Sequence, residues 1–423
     1  ATSALPEEVK RTFRNCRLIG RRFRLAHVFF GREIIEVATF RAASAPSQGE
    51  EPDDDPDILP EVGASEDAGI PDTSLPDEDD GEADVDDSGD RVLDDHGRIL
   101  RDNTYGTVNE DVWRRDFTCN ALYYNIEDFS LWDYVGAMED IAARRLRLIG
   151  DPEQRFREDP VRMLRAARFE AKLGFSIEAQ TEAQIGPLRQ LLTQVPAARL
   201  FDETLKLFLT GHGERSLEVL RRRELLGVLY PSVDRYLRSH PGTLVEQLLI
   251  SGLRNTDERV AAGKTVTPTF LFTLLLYGPI AQYIERQPPD RWHDVATILE
   301  GCDYAVRAAQ QQVQIPKRFA LGLREMFALQ PRLEHPRGRR TLRLIEQPRF
   351  RAAFDLLLLR AHVGMAPKEA AEWWTRVQEA SPEERERIAD KLDQHASQRG
   401  DGGGGGGGRP RRRRRRRRPA GGE

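Results

Sequence analysis

Cysteine is scarce in this chain. Cys16, Cys119 and Cys302 are the only three in 423 residues, too far apart in sequence to form a metal knuckle or a redox pair. That excludes a disulfide-stapled scaffold and fits a reducing, cytoplasmic compartment. The eight His residues are scattered, with no zinc-ligand spacing. No apolar run approaches the roughly 18 residues of a membrane span. The longest, residues 269–277 and 354–359, have the length of core helix segments. The opening Ala-Thr-Ser-Ala-Leu-Pro has neither the basic nor the apolar region of a secretion signal. Hydrophobic residues make up 39%, low for a globular chain, and the deficit lies in two low-complexity stretches.

The first of these is acidic. Residues 50–95 hold 21 acidic side chains against the single base Arg91, and residues 44–95 contain no aromatic. Such a segment repels itself and is expected to be disordered. Chemistry-bearing residues resume directly after it, so it is read as an insertion within a domain. Without it the net charge of −5 becomes about +15, which points to a polyanionic partner. The second stretch is a glycine spacer, residues 402–408, followed by Arg409, Pro410 and eight consecutive arginines from Arg411. Arg411, Arg412, Arg413 and Arg414 begin a polycation suited to phosphates of any sequence, either a generically sticky tail or one that recruits RNA.

Between these stretches the pattern is mixed, then helical. Residues 6–14 read as a short helix with Val9 and Phe13 on one face. Residues 22–30 and 33–40 read as two strands joined at Gly31-Arg32, an antiparallel hairpin with Phe23, Leu25 and His27 on one side. A helix is expected from about Val108, and helices dominate from Pro152 onward. Asp159-Pro160 reads as a helix start, with Asp159 as N-cap and Pro160 in the first helical position. Val161, Leu164, Ala167 and Ala171 then form the buried face. The fold class is therefore α+β.

Three places carry chemistry. Glu36 sits among branched apolar residues in the second hairpin strand, where a carboxylate needs a partner such as a metal ion if it is buried, and none if it faces outward. Arg114, Arg115, Asp116 and Asn120 bring two guanidinium groups, a carboxylate and an amide within seven residues. They can grip a triphosphate, or form a surface salt-bridge cluster. Glu158, Asp159, Arg162 and Arg165 open a helix. Asp159 and Arg162 are expected to pair at i, i+3, and Glu158 to reach Arg162 at i, i+4. An oriented carboxylate and guanidinium can read a base edge, or simply cap a helix.

The ordered series EVATFR, RRDFTCNAL, DYVGAMED and REDPVRMLRAARF resembles the family uniting bacterial poly(A) polymerases and CCA-adding tRNA nucleotidyltransferases. The likeness runs over residues 1–374 apart from the acidic segment. Residues 16–28 (CRLIGRRFRLAHV), residues 99–106 (ILRDNTYG) and the basic tail are similar to the poly(A) polymerase branch. The resemblance implies a polymerase-β-like head at residues 1–150, with a disordered insertion at about 44–96, then a helical neck at 151–235, a helical body at 236–395 and a disordered tail at 396–423. It implies transfer of AMP from ATP to RNA 3′ ends with Mg²⁺, and RNA-decay proteins as candidate partners. On it, Glu36 is a carboxylate near the metal and Asp116 an active-site carboxylate. Arg115 and Asn120, with Arg114, Glu158 and Arg165 around them, contact the nucleotide. Asp159 and Arg162 act as a protein template for the base. Asp133 and residues 136–140 form a flexible element in which Ala137 replaces a glycine. The family's Gly-rich loop and Asp-x-Asp carboxylates have no counterpart here. A start inside the head, and inactivity of this chain on its own, are expected. Two alternatives stay open: a CCA-adding enzyme, and a non-catalytic RNA-binding protein without the metal carboxylates.

Overall fold

A computed structural model describes residues 1–19, 24–31, 33–42, 92–93, 99–101 and 105–400. A small β-containing head is followed by helices, as expected for an α+β chain. Helix α1 (Pro6–Thr12) starts on Pro6, and Glu8 reaches back to accept the Leu5 N–H at 2.8 Å. It ends before Phe13, two residues short of the expected end. Phe13 therefore leaves the face of Val9 and meets Phe30 edge-on at 6.5 Å. Strands β1 (Cys16–Ile19), β2 (Leu25–Phe30) and β3 (Glu33–Val37) form one antiparallel sheet in that order. The expected β2–β3 hairpin is present, with Gly31 at φ 64° in the turn, but β3 ends three residues before the expected end. Strand β1 was not read, because CRLI has no clear alternation. Phe23 lies outside the described residues. Alternation sends Ala26 and Val28 into a small core with Val9 and Cys16, and leaves Leu25 and His27 half-buried.

The chain leaves and re-enters the head at one point. Arg41 bridges Tyr105, and the Gly106 N–H donates to Phe40 O at 2.9 Å. A Cβ on Gly106 would lie 2.5 Å from Ala42 Cα, so only glycine fits. The long segment is thus inserted within the head. Its expected limit at residue 96 is too late, because β4 (Val92–Leu93) already pairs with β5 (Ile99–Arg101). Residues 43–91 lie outside the described residues.

Helix α2 (Val108–Arg114) starts where expected, on a capping box between Thr107 and Glu110. A 3-10 turn (Thr118–Asn120), the hairpin β6 (Leu122–Tyr124) with β7 (Leu131–Asp133), helix α3 (Ala137–Ala142) and strand β8 (Arg145–Leu146) complete the head. Gly136 takes φ 77°, and Asp133 accepts the N–H groups of Val135, Ala137 and Met138, which fixes the entry to α3. Helices α4 (Pro152–Glu158) and α5 (Val161–Leu173) follow, then β9 (Ser176–Ile177), α6 (Ala179–Leu188) and α7 (Ala197–Phe208). Strand β9 pairs in parallel with β8, tying neck to head. On α5 the expected face of Val161, Leu164, Ala167 and Ala171 is buried. So are Arg162, Arg165 and Arg168, which makes α5 a central helix.

One continuous hydrophobic core runs from Phe117 in the head through α5 to the last helices of the body. There Trp374 is fully buried, its indole N–H donating to Leu333 O at 2.9 Å. The final helix, Pro382–Gly400, runs past residue 396, where the tail was expected to begin. Among the described residues no helix is long and apolar enough to cross a membrane.

Asp140 holds α3 to β8. It is fully buried and accepts from Thr118 Oγ1 (2.7 Å), Arg145 Nε (2.7 Å) and Arg147 Nε (2.8 Å). Burial alone would raise its pKa, but these three bonds outweigh it and hold the carboxyl below the ordinary range. A depressed folded pKa stabilises above the unfolded value and is lost as pH falls through it. Asp140→Ala is therefore expected to cost about 2–3 kcal/mol near neutral pH. In urea unfolding, the difference from the parent should shrink as the solution is acidified.

Candidate active site

The seam between head and neck gathers most of the polar residues singled out above. Asp116 follows α2 and is nearly buried. Its Oδ1 accepts from the Phe117 N–H (2.7 Å) and Asn120 Nδ2 (3.3 Å), and its Oδ2 from Arg165 Nε on α5 (2.6 Å). Backbone links run alongside: the Ile149 N–H donates to Asp116 O at 2.8 Å, and the Thr118 N–H to Arg147 O at 3.0 Å. Phe117 meets Phe169 edge-on at 5.6 Å beneath them.

Arg115 donates from Nε to Tyr123 Oη (2.8 Å) and from Nη1 to Asn120 O (2.8 Å), with Asp111 at 3.4 Å. Burial and the bond to Asp111 raise the Tyr123 pKa, so the phenol stays protonated. Arg114 points the other way and donates to Ala42 O at 3.2 Å, at the stem of the insertion. Burial, and then the Asp116 charge, push the Cys119 thiol up to about 12, so it offers no thiolate at neutral pH.

On the neck side, Glu158 Oε2 accepts from Arg155 Nη1 (2.7 Å) and Arg162 Nη1 (3.1 Å), so the expected Glu158–Arg162 pair is present. The expected Asp159–Arg162 side-chain pair is not. Asp159 turns to α7, where Arg199 Nη2 donates to its Oδ2 at 2.8 Å, and its Oδ1 accepts the Val161 N–H at 3.2 Å. Pro160 occupies the cap and Val161 is the first helical residue, one later than expected. Asp159 therefore stands one position before the cap it was expected to fill, and its bond to the Val161 N–H is its remaining tie to the helix start. Arg162 is nearly buried. Its Nη1 also donates to Arg155 O at 2.8 Å, while its Nε and Nη2 have no hydrogen-bond partner among the described residues.

Sequence reasoning missed two residues that hold this site together. Arg155 Nη2 donates to Arg114 O (3.0 Å) and Arg115 O (2.8 Å), linking the two motifs. Its i, i+3 spacing to Glu158 was a usable signal. Arg199 lies 40 residues from Asp159, and no local pattern points to it. Glu36 stands apart: it is exposed on β3, and His27 Nε2 at 3.6 Å is its neighbour. Among the described residues no three His, Cys, Asp or Glu side chains are grouped to hold a metal ion. Arg411, Arg412, Arg413 and Arg414 lie outside the described residues.

Three family profiles match the chain. They are described as "Poly A polymerase head domain" (residues 1–147), "Probable RNA and SrmB- binding site of polymerase A" (174–237) and "Polymerase A arginine-rich C-terminus" (292–419). The chain is 38% identical to poly(A) polymerase I of Escherichia coli O6:H1, over 94% of this chain and 78% of that protein. A CCA-adding enzyme of Lactobacillus helveticus is more distant, 29% identical over 53% of this chain and 44% of that one. A solved tRNA-processing enzyme complex superposes with a TM-score of 0.51 at 17% identity, covering 92% of this chain and 88% of that one, and shares the fold.

The buried Asp116–Arg165 pair joins head to neck, so its loss should be felt globally. Asp116→Asn and Arg165→Gln are each expected to destabilise the protein by about 3 kcal/mol. The double variant should recover about 1–3 kcal/mol of their sum in a denaturation cycle. Simple additivity would mean that the two side chains do not depend on each other.

Proposed function

The chain belongs to the bacterial poly(A) polymerase I family of nucleotidyltransferases, and from that premise we infer that it adds AMP units from ATP to RNA 3′ ends without a nucleic-acid template. In this reaction the RNA 3′-hydroxyl attacks the α-phosphate of ATP and pyrophosphate leaves. The incoming nucleotide lies at the head–neck seam.

The observation that carries the reading is Arg162. One of its nitrogens is held by Glu158 and by Arg155 O, and the others are unspent among the described residues. A guanidinium fixed in this way, and nearly out of water, can donate to the ring acceptors of a base. Asp159, engaged with Arg199 and the Val161 N–H, orients the start of α5 and has less to offer a ligand. Arg115 flanks the seam and suits the triphosphate, while Arg114 is turned to Ala42 O and has less to offer it; Asn120 suits a sugar hydroxyl or phosphate. Asp116 keeps Asn120 and Arg165 in place. The expected need for Mg²⁺ rests on the family alone: the metal would neutralise charge on the transferring phosphate, and no step is assigned to it from the residues present. The neck profile and the positive charge of the chain outside its acidic insertion support RNA as the polymer substrate. Three free cysteines are compatible with a reducing, cytoplasmic setting.

The reading is tested by extension of a short RNA with protein from its natural source, each nucleotide offered separately. A long ladder with ATP alone is expected. Extension that stops after three nucleotides would favour CCA addition, and no extension at all would favour a binding protein. Arg162→Ala is expected to lose the preference for ATP, and unchanged selectivity would remove Arg162 from base reading.

A further inference from the structure

A cavity lies at the head–neck junction, and none of the residues assigned above to the incoming nucleotide lines it. It encloses about 170 Å³. Trp113, on α2 of the head, forms one wall. Pro152 at the start of α4 and Gln180 in the first turn of α6 belong to the neck, with Leu148, Arg147 and Glu178 between them. We propose that this cavity is a secondary nucleobase site, in which one heterocyclic base stacks on Trp113 and presents its polar edge to Gln180 and Arg147.

Three features of the lining support this. Trp113 is 51% exposed although α2 is packed into the head, and it lines the cavity wall. Among the described residues its indole N–H has no hydrogen-bond partner, and neither does the side-chain amide of Gln180. Donors and an acceptor are therefore available on a lining that also includes Val135, Leu148 and Ile149. The third feature is charge. Arg147 is already answered by Asp140 at 2.8 Å, and Glu178, which caps α6, adds a carboxylate on the same lining. With no net positive charge the cavity is poorly suited to a phosphate. An aromatic wall with mixed donors and acceptors is suited to a neutral base, because every base has a face to stack. The size admits a single ring system and excludes a folded RNA element. Since the walls come from both domains, an occupant would bridge head and neck.

The base could belong to an RNA strand or to a free nucleotide, and the experiment separates them. The full chain and its Trp113→Ala, Trp113→Phe and Gln180→Ala variants are titrated with labelled oligoadenylate, with an abasic oligomer of equal length, and with AMP. Matched circular dichroism and melting establish that the variants fold; Trp113 and Gln180 are both exposed. If the base comes from RNA, Trp113→Ala should bind oligoadenylate about tenfold more weakly. Trp113→Phe should retain most of the affinity, Gln180→Ala should lose a few-fold, and the abasic oligomer should bind all four proteins alike. If it comes from a free nucleotide, AMP should quench indole fluorescence in the parent but not in Trp113→Phe, with RNA affinity unchanged. The proposal is overturned if folded Trp113→Ala binds oligoadenylate as the parent does and AMP gives the same quenching with and without Trp113. It is overturned equally if the abasic oligomer loses as much affinity as oligoadenylate. Both readouts are of binding, so the result stands whether or not the seam at Arg162 proves to select ATP.

Discussion

Asp116 and Arg165 meet at 2.6 Å where the head joins the neck, each almost out of water. Removing either charge from its partner would leave the other buried and uncompensated, which is among the costliest defects a fold can carry. The pair therefore constrains far more than two side chains. Asp116 sits at the end of α2 and fixes Asn120 and the 3-10 turn. Arg165 lies one turn inside α5, the helix that carries Arg162 and anchors the neck core. Phe117 and Phe169, the neighbours of this pair, continue the contact in apolar form. The pair therefore ties the head to the neck at this point.

Helix α5 extends that constraint. Its three guanidinium groups recur every third residue, so they lie within reach of one another along the helix. Each meets a carboxylate from a different element: Arg162 meets Glu158 from α4, Arg165 meets Asp116 from the head, and Arg168 approaches Glu203 from α7 at 4.0 Å. Arg155 then closes the loop by bonding the carbonyls on either side of the Arg114–Arg115 peptide and the Glu158 carboxylate together. The result is a polar seam inside an otherwise apolar junction. Such a seam offers directed donors in a place that water does not dominate, which suits recognition of a nucleotide. The same arrangement explains why Asp159 is less available than its spacing suggested: Arg199 reaches it first.

The rest of the chain supports this seam in different ways. The body continues the core that begins at Phe117, and Trp373 and Trp374 close its far end. The long acidic insertion is tolerated because its two stems meet at Arg41 and Tyr105, so the head packs as though the segment were a loop. The helix at Pro382–Gly400 carries the chain to the glycine spacer and the arginine run. Charge is thus divided by position, with acid in the insertion, base in the tail, and the two signs paired within the head–neck seam.

Much of this was legible in the sequence, for reasons of periodicity and composition. The β2–β3 hairpin, the buried stripe of α5 and the Glu158–Arg162 pair depend on residues close in the chain, and local geometry dictates them. The insertion shows itself by charge and the lack of aromatics, although Val92–Leu93 already pairs with β5 inside its expected far limit. The motif order and the family it implies also came from the sequence, because the spacing of Arg114–Asn120 and Glu158–Arg165 survives without any fold. What only the tertiary structure decided is which of these groups meet. Arg199 reaches Asp159 and Arg165 reaches Asp116 across 40 and 49 residues. Glu36 stays on an open strand face, and Trp113 comes to wall a cavity with Gln180. A buried charge is satisfied by whichever opposite charge packing brings within about 3 Å, and packing is a property of the whole core rather than of any segment of the chain.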